Sequence, residues 1–111
     1  MTRIGLLSDT HAWLYPGLFD FFRNCDELWH AGDIGDLATY DVLRGFKPLR
    51  AVYGNIDGQE IRSICPEVEI FMCEGVKTMI RHIGGYPGRY DRNAREIIER
   101  ERPSLFISGH S

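Results

Sequence analysis

The sequence predicts a layered α/β domain, and two observations predict it. Short continuous apolar runs alternate with longer segments whose apolar residues recur at helical spacing, the pattern of strands and helices packed in layers. Five of the apolar runs also end in Asp, His or Asn, as expected where strands of an open α/β sheet present ligand-binding side chains beyond their carboxyl ends.

The elements follow in order. Ile4 to Ser8 reads as a buried strand, and Pro16 to Arg23 as a helix opened by proline, with Leu18, Phe19 and Phe22 on one face. Glu27 to Ala31 is a second strand. Asp36 can cap a helix running to about Arg44, with Gly45 as its left-handed stop and Leu37, Tyr40 and Leu43 as its apolar stripe. Leu49 to Tyr53 is a third strand. Glu67 to Cys73 and Val76 to His82 flank Glu74-Gly75 and read as a hairpin. Asn93 with Glu96 resembles a capping box opening a helix whose apolar side is Ala94, Ile97 and Ile98. Leu105 to Ser108 is the last strand.

With 111 residues, 43% hydrophobic and 26% charged, residues 1–111 are expected to form one soluble globular domain. The formal net charge of -3 gives no indication of nucleic-acid binding. No apolar run is long enough for a membrane span and no signal-like start precedes the first strand, so the expected location is cytoplasmic, without membrane association. Cys25, Cys65 and Cys73 are odd in number and widely spaced, which argues for reduced interior thiols rather than a disulfide framework or a thiolate zinc site.

The chemistry lies at the strand ends. They read Asp9-Thr10-His11, His30-Ala31-Gly32-Asp33, Gly54-Asn55-Ile56-Asp57, His82 and Gly109-His110, and they include all four histidines of the chain. One strand-end histidine is usually a solvated or hydrogen-bonded residue, but five such ends make that reading poor. In an extended segment Asp9 and His11 would project to the same side and share one ion. Gly32 and Gly54 beside candidate ligands would allow a sharp turn and close backbone approach, although ordinary turn glycines explain either one alone. Oxygen and imidazole donors without thiolate suit Mn²⁺, Fe, Zn²⁺ or Ni²⁺. If Asp33 bridges two divalent ions, they would lie about 3.5–4 Å apart, and the centre would stay net positive and attract a phosphate.

The ordered set "SDTH", "HAGDIGD", "YGNID", "RHIGG" and "SGHS" resembles the calcineurin-like metallophosphoesterase superfamily, and within it the small YfcE-like phosphodiesterases. The resemblance implies a two-sheet β-sandwich flanked by helices with a dinuclear centre at the strand ends. Asp9, His11 and Asp33 would hold one metal; Asp33, Asn55, His82 and His110 would hold the other, with Asp33, Asn55 and His82 as the catalytic set. Two divalent ions are implied, Mn²⁺ first among them. The implied reaction is hydrolysis of a small phosphate ester, foremost a diester, by attack of a metal-bridging hydroxide. The alternative is a non-catalytic metal-binding or protein-interaction scaffold of the same fold, for which a retromer subunit is a precedent.

Two departures from the family pattern matter. Many members carry histidine after Gly-Asn to assist the leaving group, whereas this chain has Ile56. The pattern G-H-x-H would also need a histidine after Ser111, so the chain is expected to lack the C-terminal portion of its domain and to leave the second sheet incomplete. An open sheet edge invites association, which leaves a homo-oligomer open.

Around the centre, His30 and Asp57 are expected to support ligands by hydrogen bonding, with plain strand-end polarity an equal reading for His30. Asp36 is assigned to capping. In "HIGGYPGRYDR", residues 82 to 92, Arg89 and Tyr86 are candidate substrate-binding residues. A surface loop explains any one residue of that stretch slightly better.

Overall fold

The computed structural model describes residues 1–86 and 89–110, Tyr86 by its backbone alone. Sheet one is parallel, with β2 (Glu27–His30) between β1 (Ile4–Leu7) and β3 (Leu49–Ala51). Sheet two places β5 (Val76–Arg81) between antiparallel β4 (Val68–Cys73) and parallel β8 (Leu105–Ile107). A two-stranded hairpin, β6 (Gly85–Tyr86) with β7 (Arg89–Tyr90), completes the strands. The helices are α1 (Leu18–Phe21), α2 (Leu37–Phe46), α3 (Gln59–Arg62) and α4 (Arg92–Glu101). No described helix is long and apolar enough to cross a membrane.

Alternation along β2 organises both layers. Leu28 packs toward the helices with Leu18, Phe22 and Leu43, while Trp29 and Ala31 turn to the other side and pack with Val52 and Ile80. Trp29 meets Phe71 of sheet two edge-on at 4.9 Å between ring centroids. This contact is the interior of the predicted sandwich. A third cluster, Ile34, Ala51, Ile61 and Cys65, seats α3 under the loops that follow β2 and β3. All three cysteines are free. Burial pushes the Cys65 thiol up to about 11, which suits an inert interior thiol.

Several local expectations need correction. The first helix is confined to Leu18–Phe21, with Pro16 outside it. Gly45 does not stop α2, which continues to Phe46 because that ring packs on Phe19 at 4.9 Å. The cap of α4 is Asp91 rather than Asn93, its carboxylate accepting from the Asn93 and Ala94 N–H groups. Glu96 pairs instead with Arg92, at 3.6 Å. The sequence also gave no sign of α3 or of the β6–β7 hairpin inside the glycine-rich stretch. The β4–β5 turn is as expected, with Glu74 and Gly75 both at positive φ, the geometry of a type I′ hairpin.

The two helix caps make a controlled comparison. Asp36 is exposed and caps α2 through the Thr39 N–H at 2.8 Å, so Asp36→Ala is expected to cost about 1 kcal/mol. Asp91 also meets the buried Arg81 guanidinium at 2.9 Å, so Asp91→Ala is expected to cost about 2–3 kcal/mol. Equal losses in urea unfolding would show that the Arg81 pairing adds nothing.

Candidate metal centre

The first two clusters of polar residues are brought together by backbone pairing between loops. Asp9 N–H donates to Gly32 O at 2.9 Å, His11 N–H to Asp33 O at 3.0 Å and Ala12 N–H to Ile34 O at 2.8 Å. Asp9 and His11 are not extended, as alternation had required: their φ values are 55° and 49°, and Ala12 and Asp33 stand at 65° and 59°. Left-handed backbone costs a non-glycine residue roughly 1–3 kcal/mol and collects at functional sites. The two side chains converge nonetheless, His11 Nε2 lying 3.7 Å from Asp9 Oδ1.

Asp33 is buried between the two imidazoles. Its Oδ2 lies 3.2 Å from His82 Nε2 and 3.6 Å from His11 Nε2, while Oδ1 accepts from the Ile56 N–H at 3.1 Å. His82 Nε2 is also 3.9 Å from Asp9 Oδ1, and Ser8 Oγ donates to the other Asp9 oxygen at 2.5 Å. Two glycines permit this packing. A Cβ at Gly54 would lie 2.0 Å from Asp33 Oδ1, and one at Gly32, at φ +103°, would lie 2.6 Å from His82 Nδ1.

His82 supplies the test of whether a cation fits. Its Nδ1 lies 2.7 Å from Ala31 O; a carbonyl only accepts, so Nδ1 carries the proton and Nε2 presents a lone pair. That buried Nε2 has no hydrogen-bond partner yet faces the carboxylates of Asp33 and Asp9. Electron pairs converging at the edge of the interior, two of the three groups buried, call for a cation. Asp9, Asp33 and His82 each offer one ligand atom within 4.8 Å of the others, and a divalent metal fits that donor set.

Of the remaining proposed ligands, His110 lies beside His82, and Asn55 shares only a cleft wall with it. β8 leads into His110, whose N–H donates to His82 O at 2.7 Å and whose ring centroid stands 5.4 Å from that of His82. Asn55 is exposed and lines, with His82, a cleft of about 190 Å³ whose walls include Tyr53, Arg62, Glu67 and Arg81. Arg89 is exposed on β7 and is not among the residues lining that cleft. The Tyr86 side chain falls outside the described residues.

His30 and Asp57 act through neighbouring groups. The Gly32 N–H donates to His30 Nδ1 at 3.1 Å, so Nε2 carries the proton toward Thr10 Oγ1 at 3.0 Å, and that hydroxyl donates to Ile34 O at 2.9 Å. This chain of bonds fixes the turn between Asp9 and His11. The Asp57 carboxylate accepts from the Ile34, Gly35 and Gly54 N–H groups at 3.1, 2.9 and 2.8 Å. Sequence reading missed Ser8, Thr10, Tyr53, Arg62 and Arg81. "SDTH" contains the first two, "YGNID" and "RHIGG" begin with Tyr53 and Arg81, and nothing local marks Arg62.

A sandwich whose two sheets deliver carboxylates and imidazoles to one partly buried point has the architecture of a metal-dependent phosphoesterase domain. Residues 2–111 match the family model described as the calcineurin-like phosphoesterase superfamily domain, and the chain belongs to that superfamily. A probable metallophosphoesterase of Methanocaldococcus jannaschii is 32% identical over 114 residues, covering 97% of this chain and 57% of that protein. The chain thus spans little more than half the length of this curated relative. Vps29 of Chaetomium thermophilum shares the fold with a TM-score of 0.76 at 16% identity, covering 98% of this chain and 62% of that one. A protein described as a novel archaeal phosphodiesterase gives a TM-score of 0.72 at 22% identity, covering 96% and 72%.

Burial lowers the His30 pKa from 6.5 to about 4, against the opposing Asp57 and Asp9 carboxylates. A histidine whose folded pKa lies below its unfolded value leaves stability intact above pH 6.5 and removes it as pH falls toward 4. The loss is on the order of 3 kcal/mol. Chemical denaturation of metal-free protein is expected to show this acid slope reduced in His30→Asn; an unchanged slope would assign it elsewhere.

Proposed function

We propose that the chain is the metal-binding part of a metal-dependent phosphodiesterase with a dinuclear centre. The observation that carries the reading is the unpartnered His82 Nε2, buried and aimed with Asp33 and Asp9 at one point. Asp9, His11 and Asp33 hold one ion, and Asp33, Asn55, His82 and His110 the other, Mn²⁺ being the first candidate. Bound divalent metal supplies Lewis acidity that acidifies water and draws charge from a phosphoryl group.

The chain's own residues do the positioning. Ile56 N–H fixes one Asp33 oxygen and so aims the other between the imidazoles. Ala31 O fixes the His82 tautomer, and Ser8 turns one Asp9 oxygen away from His11 and His82. Asn55, a neutral donor on the cleft side, contributes without reducing the positive charge that attracts a phosphate. The name of the archaeal phosphodiesterase with the same fold supports a diester substrate.

Ile56 bears on the leaving group. It is 47% exposed where an acid would have to stand after Asn55, and its side chain has no proton to give. The departing oxygen must therefore leave as a weakly basic anion, which favours aryl or otherwise activated esters.

Asp33→Asn is expected to lower hydrolysis of bis-p-nitrophenyl phosphate by Mn²⁺-loaded protein about 100-fold or more, with metal content read by atomic emission. Full-length protein that binds two metals and hydrolyses no phosphate ester would favour the scaffold reading instead. Aryl diesters are expected to exceed simple alkyl monoesters in kcat/KM; the reverse order would remove the argument from Ile56.

A further inference from the structure

We infer that the cleft beside His82 is a subsite for an anionic group on one arm of the ester, bound by the guanidinium of Arg62. This rests on the phosphoesterase reading and specifies its substrate class. Two arginines and one glutamate line the cleft, and their charges are used differently. Arg81 is buried and engaged, its guanidinium 2.9 Å from Asp91 Oδ2 and 3.4 Å from Glu67 Oε1. Arg62 forms no ion pair among the described residues, yet it is held in place.

Its Nε donates to Asp57 O at 2.6 Å, and its guanidinium carbon lies 4.4 Å from the centre of the Tyr53 ring. One terminal nitrogen reaches Gly54 O only at 3.5 Å. The anchored stem and covered face leave the terminal N–H edge to donate to an oxyanion, the geometry in which arginine binds carboxylate or phosphate with two bonds. The backbone atoms that hold it, from residues 54 and 57, bracket Asn55, so guanidinium and proposed phosphate ligand keep a fixed relation. Tyr53 OH donates to Glu67 Oε2 at 2.9 Å, which engages the one acidic side chain of the cleft. At about 190 Å³ the space is smaller than the roughly 300–1,000 Å³ of sites that enclose whole ligands, so it suits one substituent of the ester.

The test compares three diesters with full-length, Mn²⁺-loaded protein: p-nitrophenyl phenyl phosphate and its analogues with a 4-carboxylate or a 4-phosphonate on the phenyl arm. The wild type is expected to show a KM about tenfold or more lower for an anionic analogue than for the unsubstituted diester. Whichever anion is preferred identifies the chemistry of the natural arm. In Arg62→Gln the ratio of the two KM values should collapse toward one, and Arg62→Lys, which keeps charge without the fork, should fall between. Absence of any preference in the wild type, or a preference unchanged in Arg62→Gln, overturns the inference. If no diester is turned over, the phosphoesterase reading fails separately, and calorimetric binding of 4-carboxyphenylphosphonate against phenylphosphonate still decides the subsite. Equal affinities would reject it.

Discussion

The carboxylate of Asp57 is the constraint on which the centre depends. It is buried, and it accepts from backbone N–H groups on both sides of a gap, Ile34 and Gly35 on one loop and Gly54 on the next. The loop that carries Asp33 and the loop that carries Asn55 are thereby fixed to each other. The neighbouring Ile56 N–H completes the coupling by holding Asp33 Oδ1. Buried N–H groups without partners cost about 1–3 kcal/mol each, so the clamp offsets much of the left-handed backbone at Asp9, His11, Ala12 and Asp33. Arg62 adds a second use of the same residue, binding its carbonyl from the cleft side.

The centre also lies on the seam between the two sheets. Asp9, Asp33 and Asn55 follow strands of sheet one, and His82 and His110 follow β5 and β8 of sheet two. The bond between His82 Nδ1 and Ala31 O crosses this seam. Its register rests on Trp29 against Phe71 and Val52 with Ile80. Close-packed interiors do not deform continuously, so the separation of the proposed ligands on the two sheets is set by the apolar layer beneath them. Core packing and ligand geometry are one problem in this molecule.

That division explains what could be read from the sequence. Strand-end clusters were legible because short apolar runs and turn residues leave local traces, and "SDTH" and "RHIGG" contain the Asp9, His11 and His82 that the structure brings to Asp33. The Asp36 cap and the type I′ turn at Glu74-Gly75 were legible for the same reason. The rest depends on partners distant in sequence. Asp91 wins the cap of α4 because Arg81 also draws its carboxylate. Left-handed φ at Asp9 and His11 follows from pairing with residues 32–34, which no alternation rule contains. Arg62 carries no local signal in the sequence, because its partners Tyr53, Gly54 and Asp57 are gathered around it only by the fold.

Keeping His30 neutral serves the same electrostatics. It lies three residues before Asp33, and a proton on Nδ1 would displace the Gly32 N–H from that acceptor. Burial opposes that protonation, so His30 adds no positive charge beside Asp9 and Asp33. A third charged group at the core of the cluster would change the attraction for an anionic ester in either direction. Among the described residues Arg62 of the adjoining cleft forms no ion pair, and it stands outside this cluster, on α3, so that the proposed subsite for one ester arm would leave the proposed donor set unaltered.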